Sequence, residues 1–128
     1  MIDSDVVIDS LFDQNDALTL PARLRPAGLS ISVISSMEVA EGLAGSRSPA
    51  RAGHGLRAFL RGTRLLVVGR SVADRAATIR LQLRQRSRPV NHRALDLMVA
   101  ATAIEHNLTL VTRNVCDYQD IDHLQLLR

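Results

Sequence analysis

Asp3, Glu38, Asp96 and Asp117 are scattered through a chain of 128 residues, yet each stands beside the end of an expected element. In an α/β fold such ends gather along one edge of the sheet, where functional groups are presented. Carboxylates gathered there repel one another unless something neutralises them. Oxygen-only donors select a hard divalent ion, Mg²⁺ or Mn²⁺, and such ions are used chiefly to activate water against phosphate esters.

Each acid also has a plainer reading. Ser35-Ser36-Met37-Glu38 fits a capping box, in which Ser35 caps a helix that Glu38 opens and the carboxylate reaches back to the backbone N–H of Ser35. Asp3 and Asp5 fit turn chemistry at a strand end, and Asp117 fits an exposed turn. Asp96 resists such a reading: the start of a helix favours an anion, but burial among Leu95, Leu97 and Met98 is costly without a partner. Four independent bystanders make a less economical account than one metal site.

The elements that would position these acids alternate along the chain. Met1 with Ile2, and residues 29–34, 65–68, 108–111 and 124–127, are short apolar or β-rich runs separated by helical patterns, which predicts an α/β fold with a central, mainly parallel sheet. Val72, Ala76, Ile79 and Leu83 repeat at helical spacing, in a helix stopped by Arg88-Pro89. Residues 93–106 are apolar on most sides, predicting a buried helix with Asn107 at its C-terminal cap. Residues 45–55, rich in Gly and Ser, read as a loop leading to a helix around 56–60.

Composition excludes several classes. The length fits one domain spanning 1–128, and the single Cys116, read as a small buried filler, allows no internal disulfide and no Cys/His zinc set. No apolar run approaches the ~20 residues that span a bilayer, so a soluble, cytoplasmic chain is expected. All 16 basic residues are Arg, and the stretch 47–93 holds 12 of them against one acid, Asp74. Such a stretch suits a polyanion, with Arg80 and Arg84 inside it and Arg113 beyond it as candidate substrate contacts; a solvated helix surface is the other reading. Aromatics are too few (Phe12, Phe59, Tyr118) for base stacking to dominate. His54, His92, His106 and His123 read as surface or capping residues.

Four segments, 2–9, 31–38 with Gly42, 96–103 (Asp-Leu-Met-Val-Ala-Ala-Thr-Ala) and 110–118 (Leu-Val-Thr-Arg-Asn-Val-Cys-Asp-Tyr), resemble the ordered motifs of PIN-domain ribonucleases, and more narrowly the VapC toxins of type II toxin–antitoxin (VapBC) pairs. The resemblance covers nearly the whole chain, and the run from Asp96 to Tyr118 is its most specific part. It implies a three-layer α/β/α sandwich and a Mg²⁺-dependent endoribonuclease, Mn²⁺ being a possible substitute, that hydrolyses RNA phosphodiesters with activated water. Asp3, Glu38, Asp96 and Asp117 would be the metal-binding carboxylates. Ser4 and Thr112 would hold them by hydrogen bonds, and Asn114 would orient water or serve as an outer ligand. A cognate VapB-like antitoxin lying across the site and a homodimer are also implied. Haloacid-dehalogenase-like phosphatases and receiver domains, which Asp3-Ser4-Asp5 resembles at the first strand, need a downstream Lys that this chain lacks. The other class left open is a catalytically inactive PIN-like scaffold that binds RNA or an antitoxin, which a missing acid would signal; all four are present.

Overall fold

Residues 1–12 and 23–128 are described by the computed structural model. The helices are α1 (Ser4–Phe12), α2 (Val33–Ala44), α3 (Pro49–Leu60), α4 (Arg70–Gln85) and α5 (Ala94–Glu105), and the strands β1 (Ser30–Ser32), β2 (Arg64–Leu66), β3 (Leu110–Val111) and β4 (Leu126–Leu127). β1 pairs with β2 and β3 with β4, all in parallel. Residues 1–3 join the two halves: Ile2 bridges in parallel to Ile31 on one side and to Val111 on the other. The order across the sheet is therefore β2, β1, residues 1–3, β3, β4. Asp3 ends the central segment, at the point where the winding of the sheet reverses, which is where open α/β sheets build their sites.

Side-chain alternation along the strands separates two cores. Met1, Leu66 and Leu110 face Val72, Ile79 and Leu83 of α4 and Leu97 and Ala101 of α5. Ile2, Ile31 and Val111 face Val6 and Val7 of α1, Val39 and Leu43 of α2, and Leu56 and Phe59 of α3. Helices thus cover both faces, giving the expected three-layer sandwich. Among the described residues no helix is long and apolar enough to cross a membrane.

Several boundaries differ from the sequence expectation. The strand expected over 29–34 ends at Ser32, and Val33 and Ile34 already belong to α2. Ser32 is the N-cap, its Oγ accepting from the Ser35 N–H at 2.9 Å. The capping box is thereby excluded: Ser35 lies inside the helix and Glu38 in its second turn, too far along to reach the cap. The loop expected over 45–55 is short, because Pro49, with its φ preset for a helix, starts α3 at its first turn. Gly53 and Gly55 cost that helix about 1 kcal/mol each relative to Ala, offset by burial of Leu56 and Phe59. Gly62, at φ 78°, supplies the positive φ of the turn closed by the Thr63 N–H on the Leu60 carbonyl.

The two helices on the other face end as their sequences suggest, with a left-handed residue after each. At α5 this is Asn107 (φ 51°), with the Leu108 N–H bonded to the Ala103 carbonyl at 2.8 Å; at α4 it is Ser87 (φ 56°), just ahead of Arg88-Pro89. Cys116, expected to be buried, is exposed, because it lies in a single 3₁₀ turn, Val115–Asp117, that faces water. Ser32→Ala is expected to cost about 1–2 kcal/mol in urea unfolding, whereas Glu38→Gln leaves the start of α2 intact. A stability loss confined to the Glu38 variant would restore the capping box.

Candidate active site

The site lies along the C-terminal edge of the sheet. Asp3 ends the central segment, its N–H donating to the Val111 carbonyl at 2.9 Å, and it is buried at 5% exposure. Four donors surround its carboxylate. Oδ1 accepts from the Ser4 N–H at 2.8 Å and the Ser35 hydroxyl at 3.2 Å. Oδ2 accepts from the Thr112 hydroxyl and the Tyr118 hydroxyl, each at 3.0 Å. Ser32 extends this set, its hydroxyl 3.1 Å from that of Ser35. A carboxylate so satisfied is fixed in position without being neutralised, since every donor is uncharged.

The other three acids come from three different elements. Glu38 projects from the second turn of α2 and is half-buried. Asp96 lies in the first turn of α5 and is half-buried, not enclosed: its neighbour Leu95 is exposed. Asp117 ends the 3₁₀ turn, and the Asn114 side-chain amide donates to it. These acids sense one another. The Asp96 carboxyl is pushed up from 3.8 to about 6, first by burial and then by the charges of Asp117, Asp3 and Glu38, with Arg93 opposing. Glu38 is raised by burial and by Asp3, Glu41 and Asp5, against the pull of Ser4.

Thr112 donates its hydroxyl and Ser4 its backbone N–H to Asp3, and the Asn114 amide stands against Asp117. The cationic candidates lie elsewhere. Arg113 is exposed and ion-paired with Asp9 of α1. Arg80 and Arg84 stand on α4, and no ion pair among the described residues joins either to the acidic set.

Sequence reasoning missed three contributors. Tyr118 was only a motif letter until its burial brought the hydroxyl onto Asp3, where burial and the surrounding carboxylates raise its pKa far above the ordinary tyrosine value. Ser35 was assigned to the cap. Asp5 accepts the Arg113 N–H at 2.8 Å and so ties the loop after β3 to α1, its own pKa raised by burial. A polar residue next to an acid in each motif was the available signal.

Hard oxygen donors in mutual repulsion fit a divalent cation, and among the described residues no ion pair supplies a cation to any of the four. Among the same residues, no three His, Cys, Asp or Glu converge closely enough to hold an ion as direct ligands.

A family model described as PIN domain matches residues 1–121. Solved structures align over almost the full length. VapBC2 from Rickettsia felis, bound to a DNA fragment from its promoter, matches at TM-score 0.87 and 22% identity, covering 99% of this chain and 96% of that one. DNA-bound VapBC from Salmonella typhimurium gives 0.87 and 24%, covering 99% and 95%. VapBC-5 from Mycobacterium tuberculosis, of the VapBC family of toxin–antitoxin systems, gives 0.73 and 22%, covering 99% and 95%. No curated protein matches.

The raised Asp96 carboxyl makes stability depend on pH. Between its unfolded value of 3.8 and its folded value of about 6, the folded chain keeps a proton that the unfolded chain has lost, so stability falls as pH rises through that window. Glu38 and Asp5 act in the same direction. Asp120, lowered by Arg93, acts in the opposite sense, but its contribution is lost only on acidification below the usual carboxylate range. The metal-free chain is therefore expected to melt higher near pH 5 than near pH 7.5, and Asp96→Asn to shrink that difference while raising the melting temperature at the higher pH. Differential scanning calorimetry in EDTA checks this; a melting temperature that climbs across the window contradicts it.

Proposed function

Because the chain belongs to the PIN-domain family, we propose that it is a metal-dependent endoribonuclease, a VapC-type toxin held in check by a VapB-like antitoxin. The observation that carries this reading is the gathering of Asp3, Glu38, Asp96 and Asp117 at the C-terminal edge of the parallel sheet with no ion-paired cation among the described residues. A phosphodiester, itself anionic, approaches such a cluster only if positive charge is supplied. Mg²⁺, or Mn²⁺ in its place, supplies that charge when bound, together with acidification of water for in-line attack.

The chain's own residues then have distinct tasks. Asp3 is the fixed reference, its four donors preventing rotation as charge builds up nearby. Glu38, Asp96 and Asp117 would hold the cation with Asp3, in part through its bound waters, and Asn114 would hold Asp117 or orient the attacking water. The Asp96 carboxyl, raised by burial and by its acidic neighbours in the metal-free chain, is the one a bound cation would return to the ionised form that a ligand needs. RNA is proposed as the substrate because the Arg-rich stretch 47–93 offers planar donors for a phosphate backbone and few aromatics for bases. The solved neighbours are complexes of toxin–antitoxin systems, which favours an antitoxin partner here; a homodimer and a cytoplasmic setting belong to the same proposal.

Purified chain is expected to cut RNA in Mg²⁺ or Mn²⁺, leaving 5′-phosphates, and to stop in EDTA. Asp96→Asn should keep its circular dichroism spectrum and lose at least about a hundredfold in kcat/KM, equivalent to ~3 kcal/mol of transition-state stabilisation. Cleavage by that variant at the wild-type rate removes the mechanism, and an inert wild-type chain that still binds RNA or antitoxin leaves the scaffold reading.

Salt dependence tests the basic stretch separately. Reversing the charge of an Arg that contacts phosphate is expected to reduce the log–log salt slope of RNA affinity by at least roughly one unit without altering sequence preference. If Arg80→Glu and Arg84→Glu change neither affinity nor slope, α4 carries no substrate.

A further inference from the structure

Arg93 is buried at 5% exposure although nothing above assigns it a task. It is the N-cap of α5, and its carbonyl accepts the Leu97 N–H at 2.9 Å, so its main chain forms the first turn of the helix that carries Asp96. Its side chain crosses to the turn that carries Asp117. Nη1 and Nη2 donate to the two oxygens of Asp120 at 3.0 and 2.7 Å, Nη2 donates to the Asp117 carbonyl at 2.6 Å, and Nη1 lies 3.4 Å from the Pro89 carbonyl. A planar fork engaged at both ends fixes angle as well as distance, which a lysine in the same place would not do.

We propose that Arg93, anchored by Asp120, is a positioning residue that sets the separation and orientation of Asp96 and Asp117 for a divalent cation. This rests on the metal-site reading above. Two features support it. The pair is nearly dry, with side-chain exposures of 6% for Arg93 and 16% for Asp120, so the link is stiff and little screened. Asp120 also absorbs the guanidinium charge. Without that partner Arg93 would be free to turn toward Asp96 or Asp117 and neutralise the acids itself; with it, the fold keeps a cation at the rim of the site while leaving the carboxylates anionic.

The test measures Mn²⁺ binding by isothermal titration calorimetry beside steady-state RNA cleavage. Arg93→Lys keeps the charge and loses the fork; Asp120→Asn keeps the shape and releases the guanidinium. Each is expected to weaken Mn²⁺ binding roughly tenfold, to raise the Mn²⁺ concentration needed for half-maximal cleavage, and to leave KM for RNA unchanged. Each should also speed hydrogen exchange of the Tyr118 N–H, which closes the Asp117 turn on the Val115 carbonyl. If either substitution unfolds the chain, the double change Arg93→Met with Asp120→Leu replaces the ion pair by apolar groups, an exchange that buried pairs often tolerate. The double variant should bind Mn²⁺ as weakly. Folded variants with wild-type Mn²⁺ affinity, or a wild-type chain that binds no Mn²⁺, overturn the proposal. Weakened Mn²⁺ binding in a chain that cuts no RNA would instead leave Arg93 in place and remove the ribonuclease reading.

Discussion

The constraint on which this structure turns is a buried, charged carboxylate at the end of the central strand. Asp3 cannot be desolvated without replacing the hydrogen bonds that water would give it, and the fold supplies those from four places: α1 through the Ser4 N–H, α2 through Ser35, the end of β3 through Thr112, and the 3₁₀ turn through Tyr118. Each donor belongs to an element whose placement depends on the sheet order. Ile2 pairs with Ile31 and Val111 at once, so the strand preceding α2 and the strand preceding Thr112 are both neighbours of Asp3.

Around this fixed point the remaining charges sort into two kinds. Asp120, Asp9 and Glu105 have Arg partners, and each ties one element to another. Asp3, Glu38, Asp96 and Asp117 have none among the described residues. Burial first, and then neighbouring carboxylates, raise the Asp96 and Glu38 carboxyls, a cost the metal-free fold carries and a cation would relieve in part. The division is spatial as well as chemical. Arg93 is close enough for its charge to reach Asp96, yet its hydrogen bonds go to Asp120 and to a backbone carbonyl.

The candidate acids could be picked out in the sequence because a short apolar run precedes Asp3, another leads into the turn of Asp117, and a long apolar helix holds Asp96 in its first turn. The mainly parallel sheet followed from the alternation of runs and helical patterns, and the three-layer order from the resemblance to PIN domains. Finer placement was not legible, for local reasons. Ser32, Ser35 and Ser36 are all competent caps, and only the register of β1, with Ser32 opposite Leu66, selects the first. The exposure of Cys116 follows from a single 3₁₀ turn that leaves no apolar periodicity. Pro49 was a readable helix start, overridden by the glycines that follow it. The Tyr118 hydroxyl depends on a contact with Asp3 across 115 residues of sequence separation, which no local pattern encodes.

Uncharged groups, and not a cation, surround Asp3, the one buried acid among the described residues. An Arg or Lys beside Asp3 would satisfy its oxygens and cancel its charge together, leaving nothing to attract a metal; Asp120 shows that outcome, its carboxyl held below the usual range by Arg93. Uncharged donors separate the two effects. They hold Asp3 in place without an opposite charge, and a hydroxyl that donates to one oxygen can rotate its hydrogen elsewhere when a cation arrives, which a salt bridge cannot do without moving a side chain. With four donors on two oxygens, Asp3 has no free lone pair as it stands, so cation binding there must displace at least one of these hydrogen bonds. Ser35 is the donor best able to yield, because its bond is the longest of the four at 3.2 Å and the Ser32 hydroxyl lies 3.1 Å away as an alternative partner.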